Sequence, residues 1–346
     1  MSAHNPQDLK QMQSLPLEAK IRMSQRRIRD WYEYWDGQVY ISFSGGKDST
    51  VLKHLVENTP GVYDVPSVFV NTGLEYPEIQ RFAMNQPNVV TLRPTMRFDN
   101  VIRQYGYPVI SKEVSKRIYY ARQGSLWAVK SLQGQNPDGT ESSYKQRYKK
   151  YARLAEADFP ISAYCCDVMK KKPVKQYEKE TGRKPIVGTM TYESHQRLQG
   201  WLKTGCNAFD SDRPKSQPMS FWTEQDVLHY IKKFNVPYCS VYGDIVTQDE
   251  DGNYYDMPSE YLETLYAAGD KPELKTTGCD RTGCIFCMFG CHLEDEPNRF
   301  QRLKETHPRQ YEYCIGGGEM VDGKWQPNKE GLGLGHVLDY IGVKYD

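Results

Sequence analysis

Short apolar runs alternate with amphipathic stretches over the first two thirds of the chain, the pattern of strands interleaved with helices. The clearest run is Val39-Tyr40-Ile41-Ser42-Phe43, apolar and β-rich. From Lys47 the period changes to that of a helix, with Val51, Leu52, Leu55 and Val56 on one face. Ahead of it, Pro16 suits the first turn of a helix that runs to Asp36, with Leu17, Ile21, Ile28, Trp31 and Trp35 as apolar markers. Further strands are expected at residues 67–71, 88–92 and 185–191. Strands alternating with helices predict an α/β fold, a doubly wound and mostly parallel sheet with ligands at the carboxyl ends of its strands. The first residues read as loosely ordered, residues 133–140 as a loop, and residues 236–272 as a mobile connection with a hairpin turn at Asp249-Glu250-Asp251-Gly252-Asn253. These shifts predict an N-terminal helical segment (1–36), an α/β nucleotide-binding domain (37–235) and a cysteine-rich C-terminal region (236–346).

Between the first strand and its helix lies Ser44-Gly45-Gly46-Lys47-Asp48-Ser49. Two glycines let the backbone turn tightly and point its N–H groups at a ligand. The helix N-terminus adds partial positive charge, Lys47 a full one, and Ser44, Ser49 and Thr50 add hydroxyls. That is a phosphate cradle, and its spacing is not that of the Walker A loop. Asp48 beside phosphates is useful if it holds Mg²⁺; otherwise it is a helix-start acid.

Composition narrows the field. Lys+Arg 45 against Asp+Glu 44 gives a formal net charge of +1, so a globally basic nucleic-acid binder is not indicated. Locally, Tyr144, Lys145, Arg147, Tyr148, Lys149, Lys150, Tyr151 and Arg153 interleave rings with positive charge, which suits single-stranded nucleic acid or an ordinary solvated helix. No apolar run approaches membrane-spanning length and no signal peptide is read, so a cytoplasmic chain without a membrane role is expected.

Nine cysteines in a reducing compartment argue for metal or catalysis. Cys279, Cys284, Cys287 and Cys291 are spaced C-x4-C-x2-C-x3-C, which suits an iron–sulfur cluster or zinc, with His292 able to replace one thiolate. Cys165 and Cys166 are adjacent and precede Lys170-Lys171-Lys172-Pro173. Cys206, Cys239 and Cys314 read as small buried hydrophobes.

The string from Ser44 to Ser49 resembles the PP-loop of the ATP pyrophosphatase superfamily, whose fold is that of the adenine nucleotide α-hydrolases. Asn71-Thr72-Gly73-Leu74-Glu75-Tyr76-Pro77-Glu78, Gly188 with Glu193-Ser194 and Arg197, and Pro218…Trp222…Asp226-Val227 resemble, in order, further motifs of the phosphoadenosine phosphosulfate reductase family. Gly106 to Lys112 resembles a family segment near the substrate. The resemblance implies a nucleotide site of Ser42, Ser44, Gly45, Gly46, Lys47, Asp48, Ser49, Asn71, Thr72, Gly73, Gly188, Glu193 and Arg197, with Lys47 and Asp48 catalytic and ATP and Mg²⁺ bound. It also implies a 4Fe–4S cluster on Cys165, Cys166, Cys284 and Cys287, leaving Cys279 and Cys291 spare; the local quartet with iron or Zn²⁺ is the alternative.

Three functions stay open. The first is a PP-loop enzyme, similar to DNA-phosphorothioation and tRNA-thiolation enzymes. It would cleave ATP to AMP and pyrophosphate, activating a nucleic-acid or other acceptor for sulfur delivered by a donor protein, as a homo-oligomer. The second is a phosphoadenylyl- or adenylyl-sulfate reductase. Such reductases lack the intact PP-loop string and carry a cysteine in a Glu-Cys-Gly…His tail, for which Cys314 is a poor substitute. The third is a non-catalytic nucleotide-binding, redox-sensing module.

Overall fold

The computed structural model describes residues 4–249 and 251–346; Met1-Ser2-Ala3 of the N-terminal reading and Glu250 of the expected hairpin turn lie outside the described residues. Two compact units share the chain: residues 1–92 with 174–282, and residues 93–173 with 283–346.

The first unit is built on six strands: β1 Val39–Phe43, β2 Ser67–Val70, β3 Val89–Leu92, β4 Lys184–Val187, β5 Asn207–Ala208 and β6 Lys215–Ser216. They lie in the order β3-β2-β1-β4-β6-β5. All neighbouring pairs are parallel except β5 with β6. Side chains alternate across β1, and both of its faces are covered, so the run reads apolar throughout. Val39, Ile41 and Phe43 pack into a core with Val51, Leu52 and Leu55 of the Lys47–Glu57 helix. Tyr40 faces the opposite way, onto Tyr177 of the Lys172–Thr181 helix, ring centroids 5.4 Å apart. The sheet is thus the expected doubly wound one.

The Leu17–Tyr34 helix buries Leu17, Ile28 and Trp31, three of its five apolar markers. It is pinned by Lys20, which pairs with Asp226 at 2.7 Å, and by Ser24, which donates to the Pro218 carbonyl and accepts from the Trp222 indole. The preceding residues are ordered by a second helix, Pro6–Gln13, with Asn5 and Asp8 forming a capping box and Pro6 at its start. Residues 236–272 are no bare connection. Ile245–Gln248 pairs antiparallel with Tyr254–Tyr255 and Lys275–Thr276, and a helix follows at Ser259–Ala268 with Leu262 in the core. The apolar side chains of Ile245, Val246 and Leu262 drive this ordering by leaving water.

The second unit is mainly helical. Its two chain segments are sewn together by a parallel pairing of Val109–Ile110 with Met288–Phe289. Tyr107, fully buried, donates to the Leu332 carbonyl at 2.8 Å and strengthens the join. Among the described residues, no helix is long and apolar enough to cross a membrane.

Candidate functional site

The turn after β1 forms the floor of a cleft of about 330 Å³ at the carboxyl end of the sheet. Gly45 has φ +75°, and a Cβ there would meet Ala83 and Ile79 at 3.1 Å, so the turn requires glycine. Gly46 extends into the helix start and has Tyr242, Thr282 and Ser44 side chains within 3.4 Å of where its Cβ would be. The loop is held from within. The Ser44 N–H donates to the Ser49 hydroxyl at 3.1 Å, while Ser49 and Thr50 hydroxyls donate back to the Gly46 carbonyl at 2.9 and 3.0 Å.

Of the residues expected to hold nucleotide, Ser42, Ser44, Gly46, Lys47, Asp48, Ser49, Gly188, Glu193 and Arg197 line this cleft. Gly45 shapes the turn beneath them. Asn71, Thr72 and Gly73 are not among the lining residues. They form their own closed turn after β2, in which Thr72 donates to Glu75 at 2.7 Å and the Gly73 N–H to the Asn71 side chain at 3.2 Å. The cleft also holds residues that the motifs did not announce: Tyr242, Arg281 and Thr282. The Tyr242 hydroxyl accepts from the Lys47 N–H at 3.1 Å and lies 2.7 Å from the Thr282 hydroxyl.

Charge is tightly organised here. Lys47 is only 4% exposed; its ammonium lies 2.9 Å from Glu224 and also donates to the Asp280 carbonyl. Glu193 pairs with both Arg197 and Arg281, and it accepts from the Met190 N–H at 2.9 Å. Burial pulls the Arg197 guanidinium below its usual range, with Arg281 adding repulsion. Asp48 differs from these. Its Oδ1 is buried and has no hydrogen-bond partner among the described residues. Burial holds its carboxyl above the usual range, opposed by Lys47 and Arg281. A buried, unsatisfied carboxylate oxygen beside a phosphate cradle is the donor that a hard cation takes.

The second unit contains the four cysteines that the resemblance implies as cluster ligands. The Cys165 thiol donates to the Cys166 sulfur at 4.0 Å, and Cys165 lies in the field of Cys284 and Cys287. That hydrogen bond, with Lys112 and Lys170 nearby, brings the Cys166 thiol down to about 6. Burial pushes the Cys287 thiol up, Arg299 opposing. Arg299 also donates to the Cys287 carbonyl at 2.9 Å. Among the described residues, no group of three or more His, Cys, Asp or Glu is placed to hold a metal ion. The donor chemistry fits a thiolate-bound cluster, and the four sulfurs share one neighbourhood without forming a closed cage.

Of the alternative quartet, Cys291 is buried in the second unit, its thiol pushed up to about 12 by burial, whereas Cys279 belongs to the first unit, in the field of Cys239. His292 faces Tyr151 at 3.4 Å. Cys206, Cys239 and Cys314 are buried, as small hydrophobes would be. Cys314 is completely enclosed and its thiol is pushed well up by burial.

The family model for the phosphoadenosine phosphosulfate reductase domain matches residues 38–100 and 126–288, more than half of the chain. A phosphoadenosine 5′-phosphosulfate reductase of Alkalilimnicola ehrlichii is 24% identical over 246 residues, covering 68% of this chain and 82% of its own. An uncharacterized protein of Methanocaldococcus jannaschii is 25% identical over 218 residues, or 62% of this chain, which spans only 35% of that longer protein. Among solved structures, the phosphoadenylyl-sulfate reductase of Candida auris aligns with a TM-score of 0.34 at 14% identity, covering 69% of this chain and 91% of that one. The FMN adenylyltransferase of Candida glabrata with ATP aligns at 0.39 and 12% identity, covering 73% and 75%. With a glycine-turned cradle after β1, the ordered motifs around it and a domain match across most of its length, the chain belongs to the phosphoadenosine phosphosulfate reductase family.

Proposed function

We propose that the chain binds Mg²⁺-ATP in the cleft of the first unit and cleaves it at the α-phosphate, activating an acceptor for sulfur transfer. An acceptor oxygen attacks the α-phosphorus. The bond from that phosphorus to the oxygen bridging the β-phosphate breaks, and pyrophosphate leaves with the electron pair. A reduced sulfur nucleophile then displaces AMP from the acceptor, forming a bond to sulfur as the bond to the AMP oxygen breaks. Lys47 and the backbone N–H groups of Gly45 to Lys47 hold the leaving pyrophosphate, whose charge grows in the transition state. Lys47 would exchange Glu224 for phosphate oxygens. Arg197 contacts the nucleotide once Glu193 shares it less. Asp48 would hold Mg²⁺ with the oxygen now lacking a partner. Cys165, Cys166, Cys284 and Cys287 would hold a 4Fe–4S cluster, which when bound supplies a site that anchors or relays sulfur.

The observation that carries this reading is the complete cradle around the buried Lys47. A sulfonucleotide offers it no β,γ-pyrophosphate to hold. A second reading, reduction of a sulfonucleotide, is favoured by the activity named for the Alkalilimnicola relative; the enclosure of Cys314 weighs against it, since a buried thiol is a poor nucleophile. The test is the product of ATP turnover by anaerobically purified protein of known iron content. AMP and pyrophosphate are expected. ADP, or release of sulfite from a sulfonucleotide with no use of ATP, would overturn the first reading.

A further inference from the structure

The cradle and the thiols leave one chemically distinctive region of the second unit unused. Residues 143–153, Ser-Tyr-Lys-Gln-Arg-Tyr-Lys-Lys-Tyr-Ala-Arg, carry five cations and no acid. An ordinary solvated helix interleaves acids with bases and pairs them. Here, among the described residues, no carboxylate forms an ion pair with Lys145, Arg147, Lys149, Lys150 or Arg153. Glu113, in whose field Arg147 lies, is taken by Arg117 at 2.5 Å.

The rings are arranged as well as the charges. On the Ser143–Lys149 helix, Tyr144, Arg147 and Tyr148 fall on one face. The Arg147 guanidinium lies 3.7 Å from the Tyr144 ring centroid and donates to the Tyr148 hydroxyl at 2.7 Å. Arg117 covers Tyr148 at 3.9 Å and donates to Ser131, which ties the helix to its neighbours Lys112–Arg122 and Leu126–Leu132. Tyr144 is therefore held by a stacked guanidinium yet remains 58% exposed. From exposed Trp127 a row of tilted and edge-on rings leads through Tyr120 (5.7 Å) and Tyr119 (5.4 Å) to Tyr164 (5.1 Å), the residue before Cys165. Fixed, half-exposed rings amid unpaired cations are what sequence-tolerant recognition of single strands uses: rings stack bases and cations follow the phosphates. A duplex would offer only its phosphates, because its bases are already stacked.

We propose that this face of the second unit binds single-stranded nucleic acid, with phosphates on Lys145, Lys149, Lys150 and Arg153 and a base stacked on Tyr144. Such binding does not require the reaction assigned to the cleft. It is tested by the fluorescence anisotropy of a labelled oligothymidylate of about 20 nucleotides, longer than one binding site, titrated with the whole protein at rising salt. Wild type binds, and log affinity falls steeply with log salt. Lys149→Glu with Lys150→Glu weakens binding about tenfold or more and flattens the salt slope by about 0.7 for each phosphate no longer neutralised. Tyr144→Ala weakens it by about fivefold or more with an unchanged slope, and Tyr144→Phe restores it. A duplex of the same length binds more weakly, and oligouridylate in place of oligothymidylate shows whether RNA is preferred through its 2′-hydroxyls. Thermal melting confirms that each variant is folded. Absence of salt-dependent binding by wild type overturns the proposal, as does a duplex that binds equally well with Tyr144→Ala neutral.

Discussion

In the first unit the groups that would meet a nucleotide are already occupied by one another: Lys47 by Glu224 and the Asp280 carbonyl, Arg197 and Arg281 by Glu193. In the second unit Cys165 lies in the field of Cys166, Cys284 and Cys287, yet among the described residues no group of three or more such side chains is placed to hold a metal ion. The cradle is local in sequence, six residues fixed by one turn and one helix start, so its geometry precedes its ligand. The thiols come from two segments separated by residues 167–283, and their approach depends on the whole unit folding. A site of the first kind is preorganised; one of the second kind should be completed, and stabilised, by what it binds.

The largest effect that would break this comparison is at Lys47. Lys47→Ala should lower AMP production by about 10²-fold or more in a chain that still folds, since it removes the charge that would face the leaving group. Unchanged turnover would show that the cradle is only a glycine-rich turn. On the other side, Cys165→Ser or Cys166→Ser should abolish retained iron and lower the melting temperature of anaerobically purified protein, while Cys279→Ser should keep both. The opposite pattern, or stoichiometric zinc without iron, would return the metal to the local quartet.

Asp48 sharpens the contrast, because its buried Oδ1 has no hydrogen-bond partner among the described residues. Asp48→Asn should weaken the Mg²⁺ dependence of turnover and yet stabilise the nucleotide-free protein by about 1 kcal/mol, as a buried unpaired carboxylate is removed. Loss of stability with unaltered Mg²⁺ dependence would make it a helix-start acid instead.

The smallest expected effect lies away from both sites. His229 is buried among Glu263, Lys233 and Glu18, and burial holds its imidazole below its usual 6.5 despite the Glu263 hydrogen bond. A folded-state value below the unfolded one favours the neutral ring in the fold. Its stabilising share is therefore present above pH 6.5 and lost as the pH falls below that value. Glu263, held below 4.5, adds a separate loss at lower pH. Melting between pH 7.5 and 5.5 should show the first loss in wild type, and His229→Gln should reduce it.

What was legible in the sequence follows the same division between local and long-range. Ser44 to Ser49, the β1 strand and the helix face of Val51, Leu52, Leu55 and Val56 could be read because each is set by neighbours in the chain. Tyr242, Arg281, Thr282 and Glu224 could not be read as cleft residues, since they arrive through packing of strands and turns nearly two hundred residues beyond the cradle or more. The Pro6–Gln13 helix did carry a local signal, Asn5 with Asp8 around Pro6, that its polar composition masked. β5 and β6 are two residues each, too short for any periodicity to show. In residues 245–255 the apolar run Ile245-Val246 was outweighed by the charged turn that follows it.

The central claim is that the α-phosphorus is attacked, and the most direct measurement follows one atom. ATP carrying ¹⁸O in the bridge between its α- and β-phosphates is turned over by the anaerobically purified protein, and the products are weighed by mass spectrometry. The account predicts the label in pyrophosphate, with unlabelled AMP, because the bond from the α-phosphorus to that oxygen breaks. Label in AMP, or ADP as the nucleotide product, would contradict it.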